Sequence, residues 1–165
     1  MLRQRLAESL RGRVGIYQAR YRHSREELGR IWIEVDKVEV ASFTTTGALR
    51  RRRELTDDLM EANNSWGSTA AYHQADHDAL ELLNRAGEQS DYVAWDDLES
   101  YLSLPIEQAL TSTNPLIRSL AVVDRRIGKR RLKSLRISKR DHPLTFSLYS
   151  LRCDAEGIIP SALDV

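Results

Sequence analysis

The sequence has little of what marks secreted, membrane-spanning or disordered proteins. It contains one cysteine, Cys153, which cannot form a disulfide within the chain, so we expect a reducing compartment and a cytoplasmic protein. No apolar run approaches the roughly 20 residues that cross a membrane. The first residues are too charged for a signal peptide. There are no repeats and no low-complexity tract. We therefore expect no membrane partner.

The composition is that of a folded protein. The 165 residues are 41% hydrophobic and 30% charged, whereas disorder calls for fewer apolar residues and more net charge. This length suits one domain spanning residues 1–165. An alternative division near residues 65–69, in the loop sequence that starts at Asn63, would separate a helix–meander–helix part, residues 1–64, from a helical part, residues 70–156.

One stretch of alternating residues predicts a β-hairpin. Ile31, Ile33 and Val35 alternate with polar or amphipathic neighbours, and Asp36-Lys37 occupies the place of a two-residue turn. We predict an antiparallel meander with Ile31, Ile33 and Val35 on the face that helices cover. Its strands are expected at about 14–21, 30–36 and 38–45.

The rest of the chain predicts helices. Apolar spacing, caps and prolines place helices or helical turns at about 2–11, 48–63, 70–87, 93–103, 105–111, 115–127 and 143–155. For the helix beginning at Pro115, a continuation through Gly128 to 135 is the alternative. In two of these helices Leu49 and Leu82 are expected on the buried face. The fold class is therefore α+β: a small three-stranded antiparallel meander with about six helices packed on one face and at its end.

The net charge of +1 hides a segregation of charge along the chain. Residues 1–53 carry +7, residues 54–112 carry −12, residues 113–153 carry +9 and the tail from 154 carries −3. Two interpretations are open. Either the blocks neutralise each other within the fold, or a polyanion or acidic partner meets an exposed basic face.

The helix beginning at Pro115 is the sharpest of the basic features. On a helical wheel four apolar residues share one face and predict core: Leu116, Leu120, Val123 and Ile127. The opposite face carries Arg118, Arg125, Arg126, Lys129 and Lys133. Such a basic face can bind phosphates. The alternative is an ordinary solvent-facing surface that pairs with the acidic helices.

Two further arginine clusters are candidates for anion binding. Arg50 to Arg53 are expected in the first turn of a helix, where they oppose the helix dipole. A bound anion, or pairing with Glu54, Asp57 or Asp58, would compensate. The stretch from Arg20 to Arg25 mixes arginines with Tyr21, a composition that suits stacking on exposed bases or a solvated loop. The candidate polyanion-binding residues are therefore Arg20, Arg22, Arg25, Arg50, Arg51, Arg118, Arg125, Arg126, Lys129 and Lys133.

The order helix, three strands, helix in residues 1–63 resembles a double-stranded-RNA-binding domain. In that family the RNA contacts come from the first helix, the loop between strands one and two, and the start of the second helix. The resemblance implies that His23 to Arg30 and Arg50 to Arg53 occupy the last two of these positions. It is one of topology and charge, because the family's Gly-Pro-x-His and Lys-Lys-x-Ala-Lys motifs are absent.

Four short segments carry a second resemblance, which spans most of the chain. They are Arg20-Tyr21-Arg22, Gly29-Arg30, Asp124-Arg125-Arg126 and Gly128-Lys129-Arg130-Arg131-Leu132. These segments are similar to a family of uncharacterised bacterial proteins without an assigned activity. The resemblance implies a bacterial, cytoplasmic protein.

No pattern in the sequence points to catalysis. His73, His77 and Glu81 share a helix face, but two histidines in a solvated acidic helix explain them better than a metal site. Cys153 is expected to be a buried core residue. We expect no catalytic residues, no metal ligands and no cofactor.

The sequence therefore favours a non-catalytic binding protein. The first hypothesis is a surface that binds nucleic acid or another polyanion through the basic blocks. The second is an immunity protein or antitoxin whose acidic block, residues 54–112, neutralises a basic protein partner by electrostatic steering. The third is an enzyme whose site is assembled from distant residues. The ligand and the oligomeric state are left open.

Overall fold

A three-stranded antiparallel sheet and a set of helices form the α+β fold that the sequence predicts. The computed structural model describes residues 2–20 and 29–159. The strands are β1 Val14–Arg20, β2 Gly29–Val35 and β3 Val38–Thr44. The helices are α1 Leu2–Arg5, α2 Thr45–Ala62, α3 Thr69–Ala86, α4 Asp91–Ser103, α5 Ile106–Leu110, α6 Pro115–Val122, α7 Lys129–Ser134 and α8 Pro143–Glu156.

The sheet has the predicted order β1-β2-β3 and the predicted hairpin. Val35 pairs with Val38, and the two residues between them, Asp36 and Lys37, have positive φ angles of 49° and 69°. Positive φ at both central residues is the type I′ arrangement, whose twist matches that of the flanking strands. The turn at Asp36-Lys37 is therefore confirmed, although it contains no glycine.

The main core lies on one face of the sheet. Ile31 and Ile33 are each 1% exposed, and Val35 packs against the same cluster, which confirms the predicted covered face. The pairing with β3 shifts by one residue between Ile33 and Glu34, so that Ile33 pairs with Ala41. α4 packs on β2, and α6 and α8 pack behind it. The other face of β2 carries Trp32 and Glu34, because successive side chains of a strand point to opposite faces.

Helices α2 and α3 pack mainly against each other. Their seam is a small apolar cluster outside the main core, formed by Met60, Ala75, Ala79 and Leu83. Two leucines expected on the buried faces are instead exposed, Leu49 by 57% and Leu82 by 45%. These expectations are wrong because each helix has one principal packing partner, so its buried stripe is narrower than its apolar stripe.

The predicted helix from Pro115 to about 127 ends early. α6 stops at Val122, a turn follows, and the short helix α7 starts at Lys129. The core prediction still holds, since Leu116, Leu120, Val123 and Ile127 are all at most 2% exposed. The basic residues expected on one continuous helix face are thus distributed over α6, the turn and α7.

The first predicted helix, residues 2–11, is also interrupted. α1 covers only Leu2–Arg5, and a 3₁₀ turn follows at Glu8–Leu10. Between them the Ala7 N–H donates to the Val123 carbonyl at 2.9 Å, so this segment bonds to the turn after α6 instead of continuing its own helix.

None of the helices in the described part of the chain is long and apolar enough to cross a membrane.

Candidate functional site

The turn after α6 is built around a buried carboxylate, Asp124. It is 0% exposed and accepts hydrogen bonds from the Arg126 backbone N–H at 2.7 Å and the Arg126 guanidinium at 2.8 and 3.0 Å. The Tyr101 hydroxyl of α4 donates a further short hydrogen bond to it. Charged acceptors and donors paired this closely form the stronger class of hydrogen bond.

These contacts shift two pKa values in opposite directions. Burial by itself would raise the pKa of Asp124, but the hydrogen bonds from Arg126 and Tyr101 outweigh it and hold this pKa below its usual value. Burial, aided by the hydrogen bond to Asp124, raises the pKa of Tyr101 well above its usual value. At neutral pH the turn therefore contains an ionised carboxylate and a neutral phenol that donates to it.

A buried arginine of α8, Arg152, holds the same turn from the other side. It is 2% exposed and donates to the carbonyls of Asp124 at 2.8 Å and Ile127 at 2.7 Å. Its Nε also donates to a Glu156 carboxylate oxygen at 2.6 Å, so the buried charge is paired. Arg152 thus satisfies backbone carbonyls that the turn would otherwise leave buried without partners.

The amino-terminal segment completes this arrangement. The Arg125 N–H donates to the Arg5 carbonyl at 2.7 Å, and Leu6 forms an antiparallel bridge with Asp124. The Arg125 backbone is therefore fixed, while its side chain is exposed. A cavity of about 570 Å³ lies beside the turn, and Arg125, Lys129 and Arg152 contribute to its lining.

The structure sorts the candidate residues of the basic region around α6 and α7 into two groups. Arg126 is committed to Asp124, and Arg118 pairs with Asp141 at 2.8 Å. Arg125, Lys129 and Lys133 are exposed, and Lys129 donates to the Glu156 backbone carbonyl at 3.2 Å. The exposed members lie on the Asp124 turn and on α7.

The arginines of α2 do not occupy a helix start. α2 begins at Thr45 and is capped by Thr44, whose hydroxyl accepts from the Gly47 N–H at 3.0 Å. Arg50 to Arg53 therefore lie beyond the first turn, and the helix-dipole argument for a bound anion there is wrong, because the dipole acts within the first turn. The sequence contains a cap signal that the prediction overlooked: three consecutive threonines begin at the N-cap residue Thr44.

Of the carboxylates expected to compensate these arginines, Glu54 does pair with them, whereas the other ion pairs are with residues that the sequence did not indicate. Arg50 and Arg51 both pair with Glu54, at 3.7 and 3.4 Å, and Arg51 also reaches Glu88 at 3.6 Å. Arg52 pairs with Asp76 of α3 at 2.7 Å. Part of the first basic block is thus neutralised by the acidic block. Asp57 and Asp58 were predicted as partners, but they lie on the exposed side of α2.

Most of the third candidate cluster, the stretch from Arg20 to Arg25, lies outside the described residues. Arg20 is exposed at the end of β1. Arg22 and Arg25 fall outside the described residues, as does most of the loop that the double-stranded-RNA-binding resemblance singles out.

Within residues 2–20 and 29–159, no group of three or more His, Cys, Asp or Glu side chains is arranged to hold a metal ion. Cys153 is buried in the main core as predicted, and burial raises the pKa of its thiol. Since the thiolate is the reactive form, this environment suits a packing role.

Comparison with known proteins places the chain in one family. No curated protein and no solved structure matches it. The model of the SF0329 protein family matches residues 1–153, a span that includes the sheet, the Asp124 turn and its anchor Arg152. The chain therefore belongs to the SF0329 protein family, a family of unassigned function.

Proposed function

We propose that the protein is a non-catalytic nucleic-acid-binding protein whose phosphate-binding surface is the basic segment 125–140. These sixteen residues contain nine arginines or lysines and no acidic residue. Seven of the nine are exposed: Arg125, Lys129, Arg130, Lys133, Arg136, Lys139 and Arg140. This density of exposed positive charge is the observation that supports the proposal, because phosphate contacts supply most of the affinity for nucleic acid.

Ion pairs within the protein neutralise some of the positive charges of segment 125–140. Arg126 pairs with Asp124, and Arg131 pairs with Glu107. By contrast, Arg125, Lys129 and Arg130 make no ion pair with any residue that the structure describes. These three side chains can therefore bind a ligand without first breaking an ion pair with a carboxylate.

The Asp124 turn preorganises the start of this segment. Arg126 and Arg152 hold the turn rigidly, and the Arg125 backbone is bonded to Arg5. A side chain on a fixed backbone loses less entropy when it binds a phosphate. The buried network thus supports the surface charges without contacting the ligand.

The salt dependence of duplex binding tests the proposal. Affinity for a generic DNA or RNA duplex is measured between about 50 and 200 mM salt, for the wild type and for the triple variant Arg125→Ala, Lys129→Ala, Arg130→Ala. The slope of log K against log salt is about −0.9 per bound phosphate, so it should flatten by about 0.9 for each phosphate that the variant no longer binds. Thermal melts should be nearly unchanged, because the three side chains are exposed and make no ion pair among the described residues.

A matched control removes three positive charges elsewhere. The variant Arg50→Ala, Arg51→Ala, Arg53→Ala has the same net charge as the first, but its first two arginines already contact Glu54. It should keep the wild-type slope. Absence of duplex binding at about 50 mM salt, or equal flattening in both variants, would refute the proposal.

A second candidate is the neutralisation of a basic protein partner by the acidic block 54–112. The α2–α3 pair exposes acids on both helices: Asp57, Asp58, Glu61, Asp78 and Glu81. Large apolar side chains are exposed beside them, namely Trp66, Tyr72 and Leu82, a combination that suits a protein interface. Stronger retention on an anion exchanger than on heparin, at equal salt, would favour this function over nucleic-acid binding.

A further inference from the structure

A second cavity, of about 440 Å³, lies between the amino-terminal segment and the open face of the sheet. The charged part of its lining consists of four cations, Arg3, Arg11, Arg13 and Lys37, and one carboxylate, Glu34. None of these residues belongs to the segment 125–140. The cavity is therefore a separate candidate site with a positive lining.

An aromatic ring forms one wall of this cavity. Tyr17 of β1 lies over Gly15, where a Cβ atom would overlap the ring, so the glycine makes room for it. The ring stacks on Trp32 of β2 with 5.4 Å between the centroids and 21° between the planes. The Trp32 indole N–H donates to Glu34 at 2.9 Å, which fixes the second ring. The two rings form a rigid aromatic platform on the open face of the sheet.

The four cations that line the cavity differ in how many contacts they already make with other side chains. Arg13 donates two hydrogen bonds to Asp36, at 2.9 and 2.7 Å. Arg11 makes a long exposed contact with Glu8, at 3.5 Å, of the kind that contributes little energy. Arg3 and Lys37 have no ion pair among the described residues, and the Arg3 guanidinium lies 6.0 Å from the centre of the Tyr17 ring. Arg3 and Lys37 are free to meet an anion beside the aromatic wall.

We propose that this cavity binds a nucleotide unit, with the base against Tyr17 and the phosphate between Arg3, Arg11 and Lys37. A flat aromatic surface beside available cations matches a ligand that is itself a planar ring joined to a phosphate. A free nucleotide and an unpaired nucleotide of a single strand share this chemistry. The proposal goes beyond duplex binding by segment 125–140, because it rests on different residues and on recognition of a base.

Titration of the full chain with defined probes tests this site. Calorimetry and tryptophan fluorescence are recorded with adenosine monophosphate, adenosine, inorganic phosphate and a short single-stranded oligonucleotide. We expect the monophosphate or the single strand to bind at least tenfold more tightly than adenosine or phosphate alone. Binding of the monophosphate identifies a free nucleotide as sufficient, whereas binding of the oligonucleotide alone identifies a nucleotide within a strand.

Two variants and a control locate the binding. Tyr17→Leu removes the aromatic wall and should weaken binding at least tenfold. Arg3→Ala alters an exposed side chain on α1, so it leaves the fold intact; it should weaken binding of the phosphorylated probe but not of adenosine. Tyr72→Leu, at an exposed tyrosine of α3, should bind as the wild type does.

Different measurements would refute the nucleotide site and the duplex-binding surface. If neither the monophosphate nor the single strand binds, or if Tyr17→Leu and Arg3→Ala both bind as the wild type does, the cavity is not a nucleotide site. The salt slope of duplex binding depends on Arg125, Lys129 and Arg130 and should be the same in Tyr17→Leu as in the wild type.

Discussion

Replacement of Asp124 by asparagine is the most direct test of the network beneath the basic surface. The variant has nearly the same shape but no charge, and it leaves the Arg126 guanidinium without its ionic partner. These donors bond to different oxygens of Asp124: the Arg126 backbone N–H to Oδ1, and the Tyr101 hydroxyl and the Arg126 guanidinium to Oδ2. The single amide oxygen of asparagine can therefore accept at only one of the two positions, and the amide NH2 faces a donor at the other.

The expected loss of stability follows from burial. Removal of one partner from a buried ion pair costs about 3–5 kcal/mol. The Arg126 side chain is 25% exposed and also donates to the Leu104 carbonyl at 3.0 Å, so water and this carbonyl relieve part of the cost. We therefore expect Asp124→Asn to lower the free energy of unfolding by about 3 kcal/mol at neutral pH, the lower end of that range.

The effect should also depend on pH with a definite sign. The pKa of Asp124 in the folded protein lies below its unfolded value of about 3.9. The unfolded state therefore binds more protons between the two pKa values, and the stability contributed by the carboxylate is complete above about pH 5. It is lost as the pH falls through the folded pKa. The difference between wild type and Asp124→Asn should be constant from about pH 5 to 8 and shrink below about pH 4.

Urea unfolding followed by circular dichroism, at a series of pH values, measures this difference. Other carboxylates with lowered pKa values, such as Asp36 and Glu107, are present in both proteins and cancel in the comparison. A loss below about 1 kcal/mol at neutral pH, within the range of an ordinary neutral hydrogen bond, would refute the ion-pair account. So would a difference that stays constant down to about pH 3.

Two further predictions concern the core and the hairpin. Leu120→Ala should lower the free energy of unfolding by about 2–5 kcal/mol in denaturant melts, because Leu120 is 2% exposed, whereas Leu82→Ala on the exposed side of α3 should cost less than about 1 kcal/mol. Similar losses in the two variants would mean that the buried faces are misassigned. Lys37→Gly should raise the melting temperature, with a gain of up to about 1 kcal/mol, because glycine adopts the positive φ of Lys37 without steric cost. A lower melting temperature would show that the turn is not strained.

The sequence by itself determined the elements whose signals are local. A period of two over Ile31, Ile33 and Val35, followed by a two-residue turn, predicted the strands, the turn and the covered face of the hairpin. It did not predict the irregularity between Ile33 and Glu34, where the pairing with β3 shifts by one residue. The caps at Asn114 and His142, each followed by a proline, placed the starts of α6 and α8. These features depend on residues a few positions apart, which a sequence pattern displays directly.

Only the tertiary structure decided where α6 ends and which cations remain exposed. The turn at Asp124 depends on Tyr101 and Arg152, more than twenty residues away in either direction. Tyr101 donates to the Asp124 carboxylate, and Arg152 donates to the carbonyls of Asp124 and Ile127, which a continuing helix would have satisfied internally. Val123 and Ile127 were predicted to be buried as part of a helix. Both are buried, but they lie in the turn after α6, whose backbone directs their side chains into the core.

For the charge blocks too, the sequence shows one part and only the tertiary structure shows the other. The order of charged residues along the sequence establishes that charge is segregated into blocks, and the structure assigns individual partners. Arg51 reaches Glu88 and Arg52 reaches Asp76 because α2 and α3 lie side by side. The segment 125–140 contains no acid of its own, and its exposed Arg125, Lys129 and Arg130 meet none in the described structure. An ion pair forms between charges that the fold brings within about 4 Å, and sequence position does not determine that distance.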